Sequence, residues 1–136
     1  MKIQKSFILD FIINSKKSYS ELANMIEVET LTDKAMQQNY LGKFNAFENL
    51  EVMIRNQFVN NAAFNMEAEK LTPEITGYSQ SVLDSLKKTE HLEGQSEHLK
   101  MQVSFLRGEI ESIFVVLALI GLRKDAFDNK QFYSQR

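Results

Sequence analysis

Ten consecutive residues near the C-terminus, Ile113 to Leu122, contain nothing more polar than Gly121, and they restrict the fold more than any other stretch. So apolar a run leaves water by one of three routes: into a bilayer, against a second chain, or into the protein's own core. A spanning helix needs about 20 predominantly apolar residues. Extension toward the N-terminus meets Glu111, Glu109 and Arg107, and extension past Leu122 meets Arg123, Lys124 and Asp125. Each charge at bilayer depth costs about 2.5–3.5 kcal/mol on insertion scales. The run is therefore read as covered by polypeptide and not as a membrane span, with peripheral contact to a membrane complex as the rival reading.

Few residues in the chain oppose helix. Among 136 residues there are one proline and five glycines, and 43% hydrophobic with 25% charged residues is the composition of a folded protein. The expected fold is an all-α helical bundle, a single domain of about four main helices with a long, heptad-patterned C-terminal helix. Ile3, Phe7, Phe11 and Asn14, with Ile8 and Ile12 beside them, predict a helix over 3–14. Ser15 to Ser18 interrupts it, and Ser18 with Glu21 reads as a capping box opening a short helix over 19–29 that buries Leu22, Met25 and Ile26. Thr32 reads as the N-cap of a helix over 33–70, whose apolar face is Met36, Tyr40, Phe44, Phe47, Leu50, Ile54, Phe58 and Ala62. Thr72, Pro73 and Glu74 mark the start of the last helix, 73–123, followed by a short tail over 124–136. Gly94 and Ser96 offer a stop and a new N-cap that would split it near Gln95. Continuity is preferred, because Leu92 and Leu99 keep register and a helical glycine costs only about 1 kcal/mol.

The seam of that helix places Val103, Ile110 and Leu117 at one heptad position and Leu92, Leu99, Leu106, Ile113 and Ile120 at the other. A second strip, Met101, Phe105, Gly108, Ser112, Val115, Leu119 and Leu122, follows the same spacing, and Gly108 and Ser112 would admit another backbone closely. Three sister helices or a second copy of the chain would cover both strips; a homo-oligomer, a dimer first, is the preferred partner.

Chemistry is harder to find. Without cysteine there is no disulfide, thiolate metal site or thiol nucleophile. Sixteen Lys and Arg against eighteen Asp and Glu form no basic footprint, which argues against nucleic acid. His91 and His98 lie about 10 Å apart along a helix, too far to share one metal ion, and neither follows a glutamate at the spacing of di-iron bundles. No metal or cofactor is expected. No Gly-rich phosphate loop or nucleophile turn is present, so the chain is not read as an enzyme. Leu22-Ala23 followed by Val28 and Thr32 resembles a degenerate helix-turn-helix, but Glu27 stands where the turn wants glycine, and Glu27, Glu29 and Asp33 would face phosphates. A dimeric DNA-binding regulator is therefore an alternative only. Asn45, Asn49, Asn56 and Asn60 share one helix face, an amide stripe able to exchange paired hydrogen bonds with another chain. The functional expectation is a non-enzymatic interaction or assembly protein whose C-terminal helix binds a partner or itself, with this stripe or the acidic Glu90 to Glu97 face giving recognition. No cleavable leader or glycosylation sequon is recognised, which favours the cytoplasm.

Overall fold

Helices occupy most of the chain, as the scarcity of breakers requires. The computed structural model describes the backbone of residues 2–56 and 65–128, and the side chains of residues 7–56 and 71–121. In order they form β1 (Lys2–Gln4), α1 (Lys5–Met25), α2 (Leu31–Asn56), β2 (Asn65–Glu67), α3 (Ala68–Glu90), a 3-10 turn (Glu93–Gln95) and α4 (Glu97–Asp128). The two short strands pair antiparallel, Ile3 opposite Met66, and tie the start of α1 to the start of α3. The class is all-α, a bundle of four helices.

Several boundaries differ from those expected. Ser15 to Ser18 does not interrupt α1, because serine is only a weak opponent of helix and the segment is anchored on α2: Lys16 pairs with Glu51 at 3.1 Å, and Tyr19 stacks on Tyr40 and Phe47. The cap of α2 is Thr30 and not Thr32. Thr30 Oγ1 accepts from the Asp33 amide while Asp33 Oδ2 accepts from the amides of Glu29 and Thr30, a reciprocal capping box. These bonds hold the Asp33 carboxyl below its ordinary range. The helix expected over 33–70 is not one helix: α2 is described over Leu31–Asn56, and Asn65–Glu67 are strand before α3 begins at Ala68; Phe58, Ala62 and Asn60 lie outside the described residues. Pro73 lies within α3, which begins at Ala68, so the proline forgoes one i→i−4 bond without starting or ending the helix.

The last expected helix is two. After Glu90 the chain turns through Leu92–Thr89 and Gln95–Leu92 backbone bonds, and Ser96, extended at φ −159° and ψ 158°, accepts the Leu99 amide at 3.1 Å to cap α4. Gly94 and Ser96 thus supply the stop and the cap, and Leu92 and Leu99 do not share a helix. The reversal lays α3 antiparallel on α4, with Arg107 reaching back to Glu90 and Glu93 at 3.6 and 3.7 Å.

Consecutive helices are all antiparallel, an up-and-down arrangement in which α2 and α4 run parallel as the central pair. Lys34 to Glu97, Asn39 to the Ser104 carbonyl and Asn45 to Glu109 advance in step along them. α1 lies on α2 and α3 on α4. The core takes Ile8, Leu9 and Ile12 from α1, Ala46, Phe47, Leu50 and Ile54 from α2, Leu71, Ile75, Val82 and Leu86 from α3, and Val103, Ile110, Ile113, Val116 and Ile120 from α4. On α2 the expected apolar face is buried only from Phe47 onward; Met36, at its start, is exposed.

Candidate interaction faces

Small residues determine how closely the central helices approach. A methyl group at Gly42 would lie 2.8 Å from the carbonyl carbon of Phe105 and nearer still to its oxygen, and one at Gly108 would meet the Asn39 carbonyl in the same way, its carbon at 2.9 Å. Each glycine thus turns a Cα hydrogen toward a carbonyl oxygen of the facing helix, a weak contact common at helix crossings. Ala46 and Ser112, one turn further on, are buried in the same crossing. The strip expected to admit another backbone through Gly108 and Ser112 therefore receives α2 of the same chain. Gly42 and Ala46, spaced like Gly108 and Ser112, are the matching signal that reading the sequence missed.

Beside the crossing sits a second missed feature, Glu109, a residue only 7% exposed. Tyr78 donates its hydroxyl to Glu109 Oε2 at 2.9 Å, Asn45 donates Nδ2 to Oε1 at 3.3 Å, and Asn49 donates to the Tyr78 oxygen at 2.9 Å. Three helices are joined by this chain of bonds. Among the described residues no ion pair reaches Glu109, because Lys43 pairs with Glu111 and Arg107 with Glu90 and Glu93. Burial pushes the Glu109 carboxyl above its usual range, although the bonds from Tyr78 and Asn45 favour its charged form. Burial also raises the Tyr78 hydroxyl; Glu109 beside it adds to the rise, and Asn49 opposes it.

The expected partner residues divide. Val103, Ile110, Ile113 and Ile120 of the seam are buried inside the chain, Leu99, Leu106 and Leu117 are partly buried, and only Leu92, in the turn before α4, is exposed, at 42%. A side chain with no accessible surface has none left for a second chain, so the buried four act in the protein's own core. The asparagine stripe divides too. Asn45 and Asn49 serve the polar network, Asn56 is exposed, and Asn60 lies outside the described residues. Of the acidic face, Glu90 and Glu93 pair with Arg107 and Glu97 with Lys34. The helices flanking Val28 do not cross as in a helix-turn-helix; α1 and α2 pack antiparallel along their length, with Phe11 edge-on to Phe47 and Tyr19 stacked on Tyr40.

The apolar run that most constrained the fold is only half covered. Ile113, Val116 and Ile120 are fully or nearly fully buried, whereas Phe114 at 47% and Val115 at 48% are exposed, together with Ala118. The chain's own helices thus leave one face of this segment uncovered. Val115 is where the second strip emerges from under α2. Toward the other end, a groove of about 720 Å³ between α2 and α4 is lined by Lys34, Gln38, His98, Met101, Phe105 and Leu106, among others, and opens widely to solvent. Among the described residues no group of His, Asp and Glu could hold a metal ion, and no helix is long and apolar enough to cross a membrane. No protein-family model matches the chain, and no similar curated protein or solved structure is found.

Proposed function

We propose that this protein is a non-enzymatic helical assembly protein that pairs with a second copy of itself through the outer face of α4. The observation that carries the reading is the exposure of Phe114, Val115 and Ala118 on a helix that buries Ile113, Val116 and Ile120 on its inner face. Adjacent large apolar groups left in water gain by association, at about 25 cal/mol per Å² covered. A single helix face meets its own copy across a two-fold axis without any further evolved surface, which makes the dimer the simplest assembly. The partner contact expected of the whole seam then falls to this outer face.

Light scattering coupled to size exclusion, over a range of protein concentrations, tests the proposal. The wild type should run at twice the chain mass at the higher concentrations, and Val115→Asp should run as a monomer with unchanged helical circular dichroism. A wild type that stays monomeric throughout, or a Val115→Asp dimer, would refute it.

A further inference from the structure

A second surface, at the end of the bundle where α1 passes to α2, has the opposite character to a nucleic-acid site. Met25 is 76% exposed, Leu31 52%, Val28 47% and Leu22 39%, so four large apolar side chains within ten residues stand in water. They are held in place. The Thr30–Asp33 capping box fixes the loop to α2, and Gln37 Nε2 donates to the Ala23 carbonyl, closing the end of α1. An ordered loop loses little further entropy when a partner settles on it, which distinguishes this patch from a frayed chain end.

Its charge identifies the kind of partner. Between Lys17 and Lys34 the chain carries Glu21, Glu27, Glu29 and Asp33 and no basic residue, and the three glutamates are exposed among the apolar groups. Asp33 is occupied by the cap, and Lys34 is drawn away to Glu97 at 2.8 Å. An apolar segment whose own charged residues are all acidic disfavours phosphate backbones and anionic membranes and favours cations that carry apolar anchors. We infer that the Leu22–Leu31 surface docks a basic amphipathic helix of a partner protein, its apolar residues on Met25, Val28 and Leu31 and its Lys or Arg residues against Glu21, Glu27 and Glu29. Methionine suits such a role because its unbranched thioether side chain adapts to different partner shapes. The inference stands apart from the α4 face, which lies toward the other end of the bundle.

A fluorescent amphipathic peptide of leucine and lysine at helical spacing is the probe, followed by anisotropy at rising salt. The expected result is saturable binding that weakens with salt and falls at least about tenfold in Glu27→Lys/Glu29→Lys and in Met25→Ser/Leu31→Ser. Asp10→Lys/Glu48→Lys, which makes the same charge change at exposed positions elsewhere, should bind as the wild type does, and so should Val115→Asp. All four substituted surfaces are exposed, and helical circular dichroism checks that each variant is folded. No binding, equal loss in the charge-matched control, or equal affinity for the glutamate version of the peptide would overturn the inference. So would adsorption to phosphatidylserine vesicles as strong as to the peptide.

Discussion

Gly108→Ala should destabilise the protein although alanine is the better helix former. The added methyl would sit 2.9 Å from the Asn39 carbonyl carbon and closer to its oxygen, where ordinary contact needs about 3.5 Å or more. The obstacle is helical backbone, which cannot rotate away as a side chain could. To admit the methyl, α2 and α4 must separate by an appreciable fraction of an ångström over the region where Ala46 and Ser112 are packed. A gap of about 0.5–1 Å forfeits a quarter to a half of each dispersion contact it opens. Overpacking of this kind costs about 1–3 kcal/mol, and a rigid obstacle places this site at the upper end. Against it stands a propensity gain of about 1 kcal/mol, leaving a net loss of about 2 kcal/mol. Gly77, on α3, has nothing within 4 Å of the same methyl position, so Gly77→Ala should stabilise by up to about 1 kcal/mol. Urea unfolding followed by helical circular dichroism compares the two directly. One substitution with opposite signs at two helical glycines is the expected outcome; a Gly108→Ala protein as stable as wild type would refute the close crossing.

Glu109→Gln should change how stability depends on pH. A carboxyl whose pKa is raised on folding contributes its stability fully below the unfolded pKa and loses it as pH rises through the folded value. The variant should therefore gain on the wild type as pH is raised from the ordinary glutamate range toward neutrality, in urea unfolding over a pH series; a constant difference would mean that Glu109 titrates as in the unfolded chain. Ile113→Ala and Leu92→Ala truncate two members of the same heptad series but should differ sharply. Ile113 is fully buried and its truncation should cost about 2–5 kcal/mol, whereas Leu92 is 42% exposed in a turn and should cost less than about 1 kcal/mol in thermal or urea unfolding.

Periodicity revealed what water exclusion decides. The all-α class and the burial of Phe47, Leu50, Ile54, Val103, Ile110 and Ile113 follow from apolar spacing, because a helix that buries one face must repeat it every three or four residues. Boundaries were less legible. Ser15 to Ser18 reads as a break when local preference is weighed alone, and the contacts of Lys16 and Tyr19 with α2 override it. Leu92 and Leu99 share a heptad position in sequence, yet the cap at Ser96 ends that register. The polar junction was invisible for a different reason: Glu109 stands between Gly108 and Ile110 like any surface glutamate, and its burial arises from Tyr78 and Asn45 converging on it from two other helices. Spatial convergence of that sort leaves no trace in spacing along one strand of sequence. The exposure of Phe114 and Val115 does not follow from their apolar character, since hydropathy records what a side chain prefers and not whether a neighbour is there to satisfy it.

The reciprocal fit of Gly42 and Gly108 on opposing carbonyls works like a pair of notches. Sliding α2 along α4 in either direction would bring side-chain-bearing positions against the main chain, so the alignment of the two hairpins is dictated by shape. Dissolved salt screens charges and leaves shape untouched, and Lys34–Glu97 can therefore be dispensed with while the halves of the molecule stay in step.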